Sequence, residues 1–465
     1  MMFDLVVIGG GPAGYPAAIR AAHLGMKTAL VEKLPVFGGT CLNWGCVPTK
    51  HYFEVAHLLH KLHQGKRLGL DAQISGFSLA PVNQKKSALV AQVVKGVAHL
   101  LKKAGVTTIQ GSASFQDAHT LAVTQAGKQS TVQGRRFLIA TGSEPAIPPV
   151  MRIDHPGLLT SREILDLDIL PGELIVVGAG AIGLEFATIF HLFGARVTVV
   201  ELLERLAPLE DVDVSRVLEK AFKRQRIACY TNTRVHAVGA DGDRLQVRAE
   251  SGQKGALSLE ADAVLVATGR RANTGHLGLE TVGIGLENGC IPVSPMGQTT
   301  QAHIYAAGDV LNTPQLAHVA TAEGLLAVAH MAGRPARPVP YHAVPSFICS
   351  LPEIGSTGLT EQDARARGLD VRTVTLPLKA VAKSQIKLDA GGFVKLVLQN
   401  ERLLGCHIIG PDAAELLCEP TLAITTGMGP ADISRAIHAH PTLGESLLEA
   451  CHLAEGLPIH VPKTG

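Results

Sequence analysis

"DLVVIGGGPAGYPAAIRAAHLGMKTALVEK", residues 4–33, places three glycines in GxGxxG spacing between an apolar run and an alanine-rich stretch. Leu5–Ile8 reads as a buried strand, the segment after Gly14 as a helix, and Thr28–Val31 as a second strand with Glu32 at its end. In such a unit Gly9 makes the tight turn, Gly11 lets the backbone approach a pyrophosphate, and Gly14 lets helix and strand pack closely. The helix N-terminus offers free N–H groups and a partial positive charge to phosphates. Glu32 is placed to accept hydrogen bonds from a ribose diol.

A lone glycine fingerprint is weak, but this one repeats. "ELIVVGAGAIGLEFATIFHLFGARVTVVE", residues 173–201, carries Gly178, Gly180 and Gly183, then a helix, the strand Val197–Val200, and Glu201. The last glycine and the acid are 18 residues apart in both copies, 14 to 32 and 183 to 201. Agreement in strand, glycines, helix, strand and acid together argues for two dinucleotide sites. "RFLIATGSEP" (136–145) and "AVLVATGRRAN" (263–273) each end an apolar strand in Ala-Thr-Gly and would each close one of the two sheets. Thr141, Gly142 and Gly269 are therefore further candidate cofactor contacts. "HIYAAGDV" (303–310) ends a third strand in Gly308-Asp309, and its context favours a ligand-binding acid over a helix cap at Asp309.

Of the 465 residues, 46% are hydrophobic, only 4% aromatic, and 49 are glycine, which favours an α/β protein of about three domains over an all-β sandwich. Basic residues number 42 and acidic ones 40, with no long block of one sign, so neither a nucleic-acid tail nor a membrane-binding patch is expected. Met1–Ile8 is apolar, but Asp4 interrupts it and no basic flank precedes it; it reads as a first strand of a cytoplasmic protein. Val90, Val93, Val94, Val97 and Leu101 follow helical spacing and are assigned to packing. From about residue 341 no nucleotide fingerprint remains; "GGFVKLVLQNERLLGCHIIG" (391–410) and a helical end suggest an α+β domain.

Eight cysteines are too sparse for a disulfide scaffold, and six of them (Cys229, Cys290, Cys349, Cys406, Cys418, Cys451) read mostly as small buried hydrophobes. Cys41 and Cys46 in "GGTCLNWGCVPTK" (38–50) are different, being close together and set among glycines. With the two nucleotide folds, "GAIGLEFA", "YAAGDV", "LAHVATAEG" and the late "HAHPTLGE" (438–445), this segment resembles the class I pyridine nucleotide–disulfide oxidoreductases. The similarity is greatest to their dihydrolipoamide dehydrogenase branch and runs from Phe3 to Glu455.

The resemblance implies FAD in the first fold, held by Gly9, Gly11, Gly14, Glu32 and Asp309, and NAD in the second, held by Gly178, Gly180, Gly183 and Glu201. It implies a homodimer built by the C-terminal domain. The expected division is an FAD-binding domain over 1–145, an NAD-binding domain over 146–270, a central segment completing the FAD site over 271–340, and an interface domain over 341–465.

In a regular helix, Cα atoms five residues apart are about 8.7 Å apart, beyond the reach of a disulfide. Cys41 and Cys46 can bond only across a distorted segment, which Gly45 eases. A structural staple closing four intervening residues would constrain little of the unfolded chain, and a zinc site needs more ligands than nearby His51. A redox pair is the favoured reading, and no metal is expected. By resemblance, a dihydrolipoyl thiolate attacks Cys41, Cys46 lies nearer the flavin, and electrons pass through FAD to NAD⁺.

The family pattern makes His440 the base, oriented by Glu445 and supplied by the other subunit, and leaves His438 structural. It pairs Lys50, near the flavin, with Glu185, beside the nicotinamide. The implied partner is a lipoylated protein. Rival readings fit less well: mercuric reductases carry vicinal cysteines near the C-terminus, absent here; glutathione reductases use NADPH, which Glu201 would repel although Arg205 lies close; soluble transhydrogenases lack the first cysteine. A flavin-binding module without turnover would not need Cys41, Cys46, His440 and Glu445. The stretches 348–358 and 378–387 depart from the branch's usual pattern, which touches partner docking rather than chemistry.

Overall fold

Leu5–Ile8, Thr28–Glu32, Glu173–Val177 and Ala263–Val266 are short runs of small and branched apolar residues, almost all buried, as strands covered by helices on both faces must be. In the computed structural model, which describes residues 2–71, 73–252 and 254–463 (for Lys66 the backbone only), these runs build two parallel sheets of one design. Met1, at the start of the expected first strand, lies outside the described residues.

The first sheet has the order 304–306, 137–139, 5–8, 28–32, 107–110; the second has 158–159, 263–266, 173–177, 196–200, 228–230. The strands ending in Ala-Thr-Gly do not close their sheets, contrary to the sequence reading. Each lies directly beside the fingerprint strand, Ile139 opposite Ile8 and Val266 opposite Val177. A further short strand, Ile304–Ala306 or Leu158–Leu159, pairs on its outer side. The sequence marks the strand at 304–306 but not its place in the sheet, and the two-residue strand Leu158–Leu159 carries too little apolar pattern to announce itself. The arrangement puts residues 304–309, distant in sequence, into the first nucleotide fold. A smaller sheet accompanies each parallel one: antiparallel strands over 112–134 with Met2–Phe3 added parallel at the edge in the first, and antiparallel strands over 233–261 in the second.

Residues 345–409 form a five-stranded antiparallel sheet around the hairpin Phe393–Gln399/Arg402–Ile409, backed by the helices Cys418–Thr426 and Glu445–Ala454. The helical valine stripe behaves as expected: on the helix Leu79–Lys103, Val97 and Leu101 are buried, and Val93 and Val94 pack against the same core. Of the six scattered cysteines, Cys349, Cys406 and Cys451 are buried, whereas Cys229 and Cys290 are half-buried and Cys418 is exposed. Among the described residues, no helix is long and apolar enough to cross a membrane.

The C-terminal sheet is fastened to the second nucleotide fold by a buried charge cluster. Lys395 Nζ lies 2.9 Å from Asp211, 2.6 Å from Asp213 and 2.8 Å from Glu361. Lys395 and Asp211 are 1% and 0% exposed. Asp211 also caps the helix Val212–Gln225 by accepting the Asp213 N–H. An ammonium so deeply buried is tolerated only because three carboxylates share it, and removing it strands a buried anion. Lys395→Met is therefore expected to lower the chemical-denaturation midpoint, at a cost of about 3–5 kcal/mol, without changing the helix content of the folded protein.

Candidate active site

Each fingerprint glycine has a measurable reason. A Cβ on Gly14 would lie 1.8 Å from Gly9 O, and one on Gly183 would lie 1.9 Å from Gly178 O. Gly9 and Gly178 turn the chain with φ of 102° and 107°. The middle glycines face outward: Gly180 has nothing within 4 Å, and Gly11 meets only the Gly39 Cα at 3.7 Å. That pattern, closed on the protein side and open on the other, is a cradle fitted to a dinucleotide pyrophosphate in both folds. Gly142 and Gly269 also face open space.

The two acids do more than the sequence suggests. Glu32 Oε2 accepts the Gly10 N–H at 2.7 Å, and Oε1 accepts that of Leu34 at 2.9 Å. Glu201 repeats this with Ala179 at 2.5 Å and Leu203 at 2.8 Å. Each carboxylate thus fixes its glycine loop while retaining lone pairs for a ribose. Asp309 accepts a hydrogen bond from Ser143 Oγ at 2.5 Å and lies 3.8 Å from Arg270 Nε. Arg270 in turn donates to Ser143 Oγ and O at 2.7 and 2.8 Å. Sequence reading missed Ser143 and Arg270. The only local hint was their place beside the two Ala-Thr-Gly turns. Thr141, beside them, donates its hydroxyl to Asn273 O at 2.7 Å.

The cysteine segment breaks where expected. Gly39–Trp44 and Cys46–His63 are separate helices, and Gly45 between them has φ −138° and ψ −115°. The break turns the two thiols toward each other, and both are free. Cys41 keeps its proton, its pKa pushed well up by the hydrogen bond it donates to Cys46 and then by burial. Cys46 is lowered to about 7, chiefly by that same hydrogen bond and secondly by the Lys50 ammonium, against burial and the Glu185 carboxylate.

Lys50 and Glu185 meet as expected, Nζ to Oε1 at 2.6 Å. Burial opposes the charge on Lys50, but Glu185, together with the Cys349 and Cys46 thiols, holds the lysine above its usual range. Two partners were not foreseen: the Cys349 N–H donates to the same Glu185 oxygen at 3.1 Å, and the Phe347 ring lies 5.0 Å from Lys50 Nζ. Arg162 also covers the Trp44 ring at 4.2 Å.

His440 and Glu445 come together, Nδ1 to Oε1 at 2.8 Å, and Glu445 Oε2 accepts the Thr442 N–H at 2.9 Å. Burial opposes ionisation of Glu445, but the His440 and Thr442 bonds keep its pKa below the usual range. The His440 side chain is 73% exposed, and among the described residues it has no hydrogen bond or ion pair to the cysteine pair of its own chain. His438 is engaged elsewhere, with Glu419 at 3.2 Å.

Two nucleotide folds, a facing thiol pair and an attached antiparallel domain define a flavin- and nicotinamide-dependent disulfide oxidoreductase. The chain belongs to the pyridine nucleotide-disulphide oxidoreductase family: that family's model matches residues 3–324, and the model of its dimerisation domain matches 344–451. FAD and NAD are its cofactors. Dihydrolipoyl dehydrogenase of Bacillus subtilis is 38% identical over 471 residues, covering 98% of this chain and 99% of the relative. The mitochondrial dihydrolipoyl dehydrogenase of Caenorhabditis elegans is 39% identical over 454 residues, covering 96% and 91%. Among solved structures, LpdA of Mycobacterium tuberculosis matches with a TM-score of 0.90 at 30% identity, covering 97% of this chain and 99% of that one. The HOCl-induced flavoprotein disulfide reductase RclA of Escherichia coli matches at 0.85 and 29%, covering 96% and 98%.

The thiol asymmetry is directly measurable. In the reduced protein, ultraviolet thiolate absorbance should rise with a midpoint near pH 7. Cys46→Ala should remove that step. Cys41→Ala should move it upward, because the thiolate loses its hydrogen-bond donor.

Proposed function

We propose that this chain is a homodimeric dihydrolipoyl dehydrogenase that oxidises dihydrolipoyl groups on a lipoylated protein, with NAD⁺ as the electron acceptor. The observation that carries the reading is the unequal thiol pair at Gly45, backed by the Lys50–Glu185 ion pair. Identity of 37–39% with dihydrolipoyl dehydrogenases over 96–98% of this chain supports the substrate class. The exposed Leu422, Ile437, Leu457 and Ile459 on the dimerisation domain favour a covered face. A cytoplasmic location belongs to the same proposal. The domain limits 1–145, 146–270, 271–340 and 341–465 are retained as its working division.

The proposed roles follow from the residues. Gly9, Gly11, Gly14, Glu32, Thr141, Gly142 and Asp309 would hold FAD, and Gly178, Gly180, Gly183, Glu201 and Gly269 would hold NAD. Bound FAD supplies a two-electron acceptor between thiol and nicotinamide chemistry. One dihydrolipoyl thiol releases its proton to solvent and attacks Cys41 Sγ as thiolate; the Cys41–Cys46 bond breaks and its electron pair stays on Cys46. Lys50, on the same helix one turn on, stabilises that thiolate. The second dihydrolipoyl sulfur, its proton taken by His440, attacks the substrate sulfur of the mixed disulfide. Cys41 leaves and recovers a proton from His440, and oxidised lipoyl departs. Glu445 fixes the imidazole by its bond to Nδ1, leaving Nε2 to accept that proton. An exposed base that, among the described residues, makes no hydrogen bond to a thiol of its own chain fits delivery to the partner's site.

His440→Gln should keep FAD and fold but slow dihydrolipoamide oxidation by about 10²–10⁴-fold, while NADH-dependent dye reduction, which needs no thiol deprotonation, survives. Mixed dimers of Cys41→Ser and His440→Gln chains should regain about half the wild-type rate, since one of two shared sites is intact. Verified mixed dimers without activity would defeat the shared site.

Coenzyme choice gives a separate test. Glu201→Ala removes both the repulsion of a 2′-phosphate and the clamp on the Ala179 and Leu203 amides. The ratio of kcat/KM for NAD⁺ over NADP⁺ should fall, and NAD⁺ KM should rise; an unchanged ratio would remove Glu201 from the specificity argument.

A further inference from the structure

Glu323 is a carboxylic acid, 4% exposed, that the chemistry above does not use. It stands on the helix Ala317–Met331, and both of its oxygens are engaged. Oε2 accepts the Gly308 N–H at 2.6 Å, and Oε1 accepts the Tyr341 hydroxyl at 2.7 Å. Gly308 directly precedes Asp309. Its turn has φ 80°, and a Cβ there would stand 3.2 Å from that of Ala320 and 3.3 Å from that of Ala13. The helix itself is seated on the first glycine loop. A Cβ on Gly324 would lie 2.4 Å from Ala13 O, and Thr321 Oγ1 donates to Pro12 O at 2.9 Å.

Tyr341 lies on the other side of the acid, in the turn Tyr341–Ala343 that leads into the C-terminal sheet. That turn is tied to the sheet: Thr357 Oγ1 donates to Ala343 O at 3.1 Å. His318, on the Glu323 helix, is 2.8 Å through Nε2 from Pro345 O. A continuous path therefore runs from the dimerisation domain through one hydroxyl and one buried acid to the amide beside Asp309. Burial raises the pKa of Glu323 against its hydrogen bonds from Tyr341 and Gly308, as befits a carboxyl sealed between two segments.

We infer that Glu323 is the positioning residue that aims the Gly308–Asp309 turn at FAD, and that Tyr341 makes flavin retention depend on the seating of the dimerisation domain. The inference rests on the proposed role of Asp309 as a flavin-holding acid. It goes beyond that role in making the C-terminal domain a determinant of flavin affinity through one side-chain path.

The test is the rate of FAD release from holoenzyme dimers, followed by recovery of flavin fluorescence, for wild type, Tyr341→Phe, Glu323→Gln and Asp309→Ala. Apoprotein melting and dimer mass are measured alongside. Tyr341→Phe deletes one hydroxyl and should speed release about tenfold, the scale of one hydrogen bond to a carboxylate, with melting and dimer mass unchanged. Glu323→Gln keeps an acceptor for Gly308 and a donor for the Tyr341 oxygen, so its release should stay within about threefold of wild type. Fast release from Asp309→Ala with normal release from Tyr341→Phe overturns the relay alone. Normal release from Asp309→Ala overturns the flavin-acid reading and the relay with it. Loss of FAD from Tyr341→Phe only in step with lower apoprotein melting or dissociated dimers also overturns the relay.

Discussion

Backbone against backbone, with no side chain between, is the contact on which this molecule depends. Gly14 on Gly9 and Gly183 on Gly178 leave less than 2 Å for a Cβ, so helix and strand meet only because nothing is there. That approach draws each helix N-terminus up to its loop and aims its free amides outward. The same device extends to the cysteines. Gly38 donates its N–H to Gly10 O at 2.8 Å, and a Cβ on Gly39 would come 2.7 Å from Gly11 Cα. The redox helices are thereby docked on the first glycine loop itself, and the position of the thiols follows from the position of the nucleotide site.

Once docked, the thiol pair is made unequal by its surroundings rather than by its sequence. Cys41 and Cys46 share one hydrogen bond, and whichever sulfur accepts it carries the negative charge more readily. The Lys50 ammonium lowers both thiols, but it can serve only the one not already holding the proton, which is Cys46. A base is then needed for substrate protons rather than for Cys46. On the proposed reading this is why His440 and Glu445 are built on a different domain, exposed and already oriented.

Much of this was legible because it is local. The glycine spacing, the acid 18 residues on, and the impossibility of a helical Cys41–Cys46 bond are facts about short segments, and the Gly45 break follows from the last of them. What was not legible is contact across distance. Ser143 reaches Asp309 over 166 positions, Arg270 reaches Ser143 over 127, and the Cys349 amide reaches Glu185 over 164. No periodicity encodes such pairs. The two-residue strand Leu158–Leu159 escaped for a different reason, being too short to carry alternation or a full apolar run.

The two nucleotide folds match through the acid and diverge directly after it. In the first copy, Glu32 is followed by the segment that becomes the redox helices; in the second, Glu201 is followed by a short loop exposing Leu202, Leu203 and Leu209. One copy has grown chemistry at a point where the other has left its loop bare. The copies meet again at Glu185, which stands on the fingerprint helix Ala181–Phe193 of the second fold. There it pairs with Lys50, borne on the helix that begins at Cys46 of the first. The Cys349 amide of the dimerisation domain completes the contact. A nearly buried carboxylate satisfied by donors from two other domains cannot be held if either domain moves, because the loss of one donor leaves an under-solvated charge. Glu185 therefore fixes the relative placement of thiol pair, second nucleotide fold and dimerisation domain with one side chain, and the ion pair that tunes Cys46 is also the joint that keeps the three domains in register.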